Sequence, residues 1–311
     1  MDDRIPVILD TDIGGDIDDT WALAMMLKCP ELDVRLVVSD TGDTVYRSRI
    51  IARMLEVAGR TDVPVGVGIR QKSDGARERQ AAWVADYDLA RYPGTVHDDG
   101  VQALIDTIMR SNRPPKLVCI GPVPNVAAAL RREPGIAQRA HFVGMHGAFT
   151  RHHRTNLCFG MAAGAIPEWN VKCDIPAAQA VFAAPWLSAT ITPADTCGMV
   201  VLDGDRYRRV RDCHEPLAAA VIENYRMWSP RNAQSDPETH SSVLFDTVAV
   251  YLAFSTAHLA MKRMGVSVDD RGYTVEDAAA RPFDVALDWT DLDAYRDLLT
   301  ERMTAAVVPG R

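Results

Sequence analysis

Val7-Ile8-Leu9-Asp10-Thr11-Asp12-Ile13-Gly14-Gly15-Asp16-Ile17-Asp18-Asp19 is the stretch that decides the fold. Three apolar residues run into a loop that carries five carboxylates in ten residues, with two glycines among them. Trp21, Ala22, Leu23, Met25, Met26 and Leu27 follow at helical spacing. This order predicts a buried strand, a tight acidic loop and a helix start. Carboxylates crowded at one strand end repel each other unless positive charge sits among them. A hard divalent cation held by oxygen atoms meets that need. The plainer alternative is a solvated acidic turn in which Asp18 or Asp19 caps the helix.

Outward from this stretch the chain alternates. Residues 34–39 predict a second strand, ending in Asp40-Thr41-Gly42-Asp43. A helix follows with Ile50, Ile51, Met54, Leu55 and Val57 on its apolar side, stopped at Gly59, and residues 63–67 predict a third strand. Such repeats build a mostly parallel sheet with flanking crossover helices. Ligands of these sheets sit beyond the strand carboxyl ends, where both acidic loops lie. Further strands are expected at residues 117–120, 141–145, 191–192, 273–274 and 283–286. Helices are expected at 126–130, 177–182, 203–220 (interrupted near Pro216 and continuing towards Trp228), 241–253 and 291–303. Residues 71–92 read as helical or irregular, and 148–164 as loop. In that loop Arg151, His152, His153 and Arg154 form either a lid over the site or a solvated turn. With no repeat or linker, residues 1–311 read as one domain.

Composition narrows the function. The chain is 47% hydrophobic and 24% charged, as an ordinary globular protein is. A net charge of −8 without a basic run argues against nucleic-acid and membrane-surface partners. No apolar run reaches transmembrane length. Met1-Asp2-Asp3-Arg4 opens directly into a strand, so no signal peptide is expected. Cys29, Cys119, Cys158, Cys173, Cys197 and Cys213 are scattered without a C-x-x-C pair, which predicts reduced thiols in the cytoplasm.

Several motifs occur in register along nearly the whole chain. They are Asp10-Thr11-Asp12 with Asp18-Asp19, Gly42-Asp43, His97-Asp98-Asp99-Gly100, Gly121-Pro122-Val123-Pro124-Asn125, Glu168-Trp169-Asn170 with Asp174, and Phe245-Asp246. Together they resemble the nucleoside hydrolase family of the inosine–uridine preferring type. The resemblance implies a Rossmann-like α/β domain with its site at the strand carboxyl ends. It also implies calcium-dependent hydrolysis of the N-glycosidic bond of ribonucleosides, giving ribose and a free base. By the same resemblance Asp12, Asp19 and Asp246 would be side-chain metal ligands, and Pro124 a main-chain carbonyl ligand. Asp12 would also be the catalytic base on the metal-bound water. Asp18, Asp43, Glu168 and Asn170 would hold the ribose, and Trp169 would stack on the base or simply pack. The family's habit implies a homodimer or homotetramer. The residue types suit the chemistry: breaking the bond builds oxocarbenium character on the sugar, which carboxylates and amide oxygens stabilise.

Two departures from the family pattern stand out. The acidic loop is two residues longer than the shorter family form, through Asp16 and Ile17, so Asp16 competes with Asp18 for the ribose. Phe245 stands where many members carry a histidine that protonates the leaving base, and phenylalanine has no proton to give. His240, His97, Tyr225 and Trp169 are the substitutes the sequence offers. Phe245 also keeps open a nucleoside-binding protein with weak or no turnover. A magnesium-dependent phosphatase of the haloacid dehalogenase type shares only the Asp10-Thr11-Asp12 opening. An EF-hand counted from Asp10 fails, because Trp21 falls twelfth, where glutamate belongs.

Overall fold

The computed structural model describes residues 3–73, 75–153, 160–231 and 235–310. Its strands are β1 (Ile5–Thr11), β2 (Leu32–Ser39), β3 (Val65–Gly66), β4 (Val96–His97), β5 (Lys116–Cys119), β6 (His141–Met145), β7 (Arg151–His153), β8 (Met161–Ala163), β9 (Ala189–Thr192), β10 (Leu259–Val268), β11 (Thr274–Glu276) and β12 (Pro282–Trp289). Ten of them form one sheet in the order β4-β3-β2-β1-β5-β6-β9-β12-β10-β11. All neighbours from β4 to β12 run parallel, and β10 and β11 close one edge antiparallel.

Both faces of the sheet are covered, and the strand side chains show why. Val7 and Leu9 of β1 enter one apolar cluster, and Ile8 between them enters the other. Val118 and Leu117, and Val143 and Phe142, divide in the same way on β5 and β6. Strands buried on both sides read as continuous apolar runs, not as alternating ones. The first cluster holds helices Asp18–Lys28, Thr44–Val57, Pro216–Trp228, Phe245–Leu252 and Leu292–Thr304. The second holds Gly100–Arg110, Pro124–Arg132 and Ile175–Ala183. Helix Asp18–Lys28 is buried along its whole length, so even Lys28 needs partners: Glu215 and the Met303 carbonyl.

From β1 the chain winds outward through β2, β3 and β4, then returns to the other side through β5, β6 and β9. The order therefore reverses between β1 and β5, and a crevice opens at their carboxyl ends. The acidic loop leaves β1 at that crevice.

Three expectations need correction. Residues 148–164 contain an antiparallel ribbon, β7 paired with β8, where loop was expected. Strand β10 was not foreseen. The helix expected from residue 241 begins at Phe245, after an extended lead-in. Arg154 and Cys158 lie outside the described residues; the other five cysteines are free. Among the described residues no helix is long and apolar enough to cross a membrane.

Candidate active site

The acidic loop is held by its backbone, which leaves its side chains for the cavity. Gly14 has φ +103, and a Cβ there would lie 2.7 Å from Ile50 Cδ1, so only glycine fits. Its carbonyl accepts from Tyr46 Oη at 3.1 Å. Arg47 donates from Nη1 to the Ile13 carbonyl at 2.8 Å, and Trp228 from Nε1 to the Gly15 carbonyl at 3.0 Å. Thr11 Oγ1 donates to Asp19 Oδ1 at 2.5 Å. Asp18 and Asp19 occupy the first turn of helix Asp18–Lys28, where the helix dipole favours negative charge. They do not cap the helix: the N-cap position is Ile17.

Helix Phe245–Leu252 packs against this helix and brings Asp246 to the same place. Carboxylate oxygens of Asp18, Asp19 and Asp246 lie within 4.8 Å of one another, and all three residues are buried. Burial pushes all of them up. Asp18 reaches about 8, with Asp16 adding to the effect, and Asp19 and Asp246 rise well above the carboxylate range, pushed further by their acidic neighbours. Asp12 stands beside the group. Burial raises it and the Arg47 guanidinium, 3.8 Å away, opposes the rise. Asp10 is fully buried beneath and held by Asn125 Nδ2 at 2.9 Å; burial nevertheless takes it to about 7. Asp16 is partly exposed and pairs with Arg79 at 3.5 Å.

So many buried acids cannot all ionise in an empty site. They fit a hard divalent cation, which takes oxygen ligands and supplies the missing charge. One prediction follows from the shifts. Asp10, Asp18 and Glu168, at about 7, 8 and 7, hold protons to higher pH folded than unfolded. The contribution of these three groups to the stability of the metal-free chain is then fully present below the unfolded values of about 4 and is lost as pH rises through the folded ones. Melting temperatures in chelator should decline from pH 5.5 to 8.5, and calcium should flatten the decline. A flat profile in chelator would contradict this picture of the acids.

The opposite wall comes from helix Trp169–Lys172. Glu168 caps it, accepting from Asn170 N at 2.8 Å and Val171 N at 3.3 Å, and from Gly147 N at 3.1 Å. Burial raises Glu168 and these three amides pull it back. Asn170 Nδ2 donates to the Ile120 and Met145 carbonyls at 3.2 and 3.0 Å. That fixes the amide and leaves its oxygen to the cavity. Trp169 is 40% exposed at the rim, with the Arg77 guanidinium 3.7 Å from the ring centroid. A base stacking on that face would have to displace Arg77.

Asp12, Asp18, Asp19, Asp246, Glu168 and Asn170 thus border one cavity of about 260 Å³, at the small end of ligand pockets. Two expected site residues are not part of that wall. Asp43 caps helix Thr44–Val57, pairs with Arg70 at 2.7 Å, and lines a neighbouring cleft that shares Asp12 and Trp169. Pro124 is the buried first residue of its helix. Of the substitutes for the missing histidine, only Trp169 borders the cavity. His97 lines a separate cleft, His240 bonds the Ser241 carbonyl, and Tyr225 is buried in its helix. Trp228 was missed, and His153, expected in a lid or solvated turn, is part of the cavity wall. Nothing in their spacing marked them, because both arrive from distant parts of the chain.

A switch-point cavity lined by buried acids, an amide and apolar rings is the kind of site an α/β enzyme presents. The model of the family described as inosine-uridine preferring nucleoside hydrolase matches residues 7–303, and the chain belongs to that family. Its members are N-glycosyl hydrolases that split nucleosides into ribose and base, and they are generally metal-dependent. A pyrimidine-specific ribonucleoside hydrolase, RihA, from Enterobacter sp. (strain 638) is 26% identical over 96% of this chain and 97% of its own. A non-specific ribonucleoside hydrolase, RihC, from Klebsiella pneumoniae is 31% identical over 58% of each chain. The fold superposes on a plant nucleoside hydrolase, PpNRh1, with a TM-score of 0.77 at 23% identity, covering 97% of this chain and 99% of that one. An inosine–uridine preferring nucleoside hydrolase from Bacillus anthracis gives the same TM-score at 18% identity and the same coverage.

Proposed function

We propose that this chain is a calcium-dependent nucleoside N-ribohydrolase in which Asp12 takes the proton of the attacking water. The observation that carries the reading is the meeting of Asp18, Asp19 and Asp246 within 4.8 Å, with Asp12 beside them. Asp12, Asp19 and Asp246 would hold the ion. The Pro124 carbonyl joins them on motif register alone. A bound cation would neutralise the acids and make a water easier to deprotonate.

The remaining steps belong to the protein. Asp12 is aligned between Arg47 and the acids, and its carboxylate accepts the water proton. Asp18, close to Asp246, and the Asn170 oxygen face the ribose hydroxyls and the positive charge that develops on the sugar. Glu168 has both oxygens on backbone amides, so its main effect is to hold Asn170 and Gly147 in place. Its spare lone pairs remain for a hydroxyl. Asp43 would reach the sugar only from the neighbouring cleft. Cytoplasmic location and a homodimeric or homotetrameric state belong to the same reading, on the family's habit.

The test is a panel of purine, pyrimidine and nicotinamide ribosides with added calcium, scored for reducing sugar. Release from at least one riboside, abolished by chelator and restored by calcium, is the expected result. Ribose binding without release from any riboside would replace the hydrolase reading with that of a binding protein.

A further inference from the structure

We propose that His153 is the hydrogen-bond donor to the departing base, an inference that rests on the hydrolase reading above. Besides its acids the cavity is lined by the apolar side chains of Ile17, Ile166, Val243 and Phe245. A planar base, apolar on its faces and polar at its edge, suits such apolar lining. A base that leaves with the electron pair of the C1′–N bond needs a donor at its edge. Phe245 offers none.

Among the described residues two other side-chain donors of the wall are engaged, two stand at the rim, and the Ser242 hydroxyl, buried without a hydrogen-bond partner, is the competitor that remains. Asn170 Nδ2 serves two carbonyls and Trp228 Nε1 serves Gly15. Trp169 and Lys172 stand together at the rim, the ammonium 4.8 Å from the indole centroid. His153 lines the cavity beside Phe245, the residue that lacks a proton to give. It is 9% exposed, and its ring meets Phe245 edge-on, centroids 6.0 Å apart at 88°.

Its place is set by the root of the ribbon. Asp195, fully buried in helix Ala194–Cys197, accepts from the amides of Phe149 (2.8 Å), Thr150 (2.7 Å) and Arg151 (3.0 Å). Arg151 returns the grip, donating from Nε to the Asp195 carbonyl at 2.8 Å and pairing with Asp288 at 2.6 Å. His153 follows two residues later, at the end of β7. Burial, with His152 adding to it, pushes His153 down to about 4, so it is neutral at pH 7. A neutral imidazole still donates one N–H and acts as an electrophile, not as a full acid.

The step balances. The C1′–N bond breaks and its pair goes to the base nitrogen, while the water oxygen bonds to C1′. The water proton goes to Asp12. His153 keeps its proton and stabilises the base through the hydrogen bond, and the base is then protonated from solvent.

The experiment compares His153→Phe with the native enzyme on uridine, inosine and p-nitrophenyl riboside, all with calcium. Nitrophenolate leaves without a donor, so it reports on everything except this contact and also on folding. We expect a loss of about 100-fold in kcat on the two nucleosides, and only a few-fold loss on the nitrophenyl substrate. An equal loss on all three, or no loss on any, would overturn the assignment while leaving the hydrolase reading intact. The same holds if the selective loss appears in Ser242→Ala, which removes the hydroxyl of the wall, and not in His153→Phe. A native enzyme inactive on all three would overturn the hydrolase reading, and this inference with it.

Discussion

Asp19→Ala is expected to abolish both bound calcium and hydrolysis. Asp19 is 2% exposed, takes the Thr11 hydroxyl at 2.5 Å, and has Asp12, Asp18 and Asp246 as its acidic neighbours. Losing it removes one of three converging carboxylates, and cations of this kind need many oxygens. A metal contributes several kcal/mol to a transition state of this type, so kcat/KM should fall by about 10³-fold or more. Calorimetry with calcium should show no binding in the millimolar range. Loss of folding is separable from loss of function here. The variant has one fewer buried acid, so in chelator it should melt no lower than the native chain. Calcium binding or turnover retained at native strength would refute the proposed ligand role.

Asp12→Asn tests a different role at nearly constant shape. The amide keeps size and hydrogen-bonding capacity but cannot accept a proton from water at neutral pH. The carboxylate packs close to Gly121, where an added Cβ would lie 2.9 Å from Asp12 Oδ1. Arg47 is held independently by the Ile13 and Thr41 carbonyls, so the substitution leaves the loop anchored. A general base contributes about 10²- to 10⁴-fold. We expect kcat to fall by about 10³-fold, calcium binding to weaken without vanishing, and KM to change much less. More than a tenth of native kcat would exclude Asp12 as the base.

The sequence was most legible where one physical requirement dominated. Short apolar runs bounded by turn residues, such as Val7-Ile8-Leu9, suit strands buried on both sides, and the sheet is built from them. The acidic loop announced a charge problem, and the structure buries Asp18 and Asp19 together with Asp246. Strand β10 was hidden because Lys262, Arg263 and Gly265 interrupt its apolar pattern. They lie near the antiparallel edge, where Lys262 pairs with Glu276 and Arg263 with Asp284. Which acids face one another was also beyond the sequence. That Asp18 lies within 4.8 Å of Asp19 and Asp246 depends on how two helices pack, which no spacing in the sequence reveals. His153 was read as part of a lid or solvated turn. Its burial depends on the grip of Asp195, forty-two residues away along the chain.

That grip has a consequence for how such an enzyme could change its diet. The acids that would handle sugar and cation come from β1 and two core helices, whereas the wall that meets the base borrows from a ribbon tied down at one aspartate. The tie is made to backbone amides of residues 149–151, which almost any sequence supplies. Residues beyond the tie, His153 apart, could therefore drift, or be exchanged as a cassette, without disturbing the acids beneath. Selectivity among bases can then evolve at a pace decoupled from that of the chemistry.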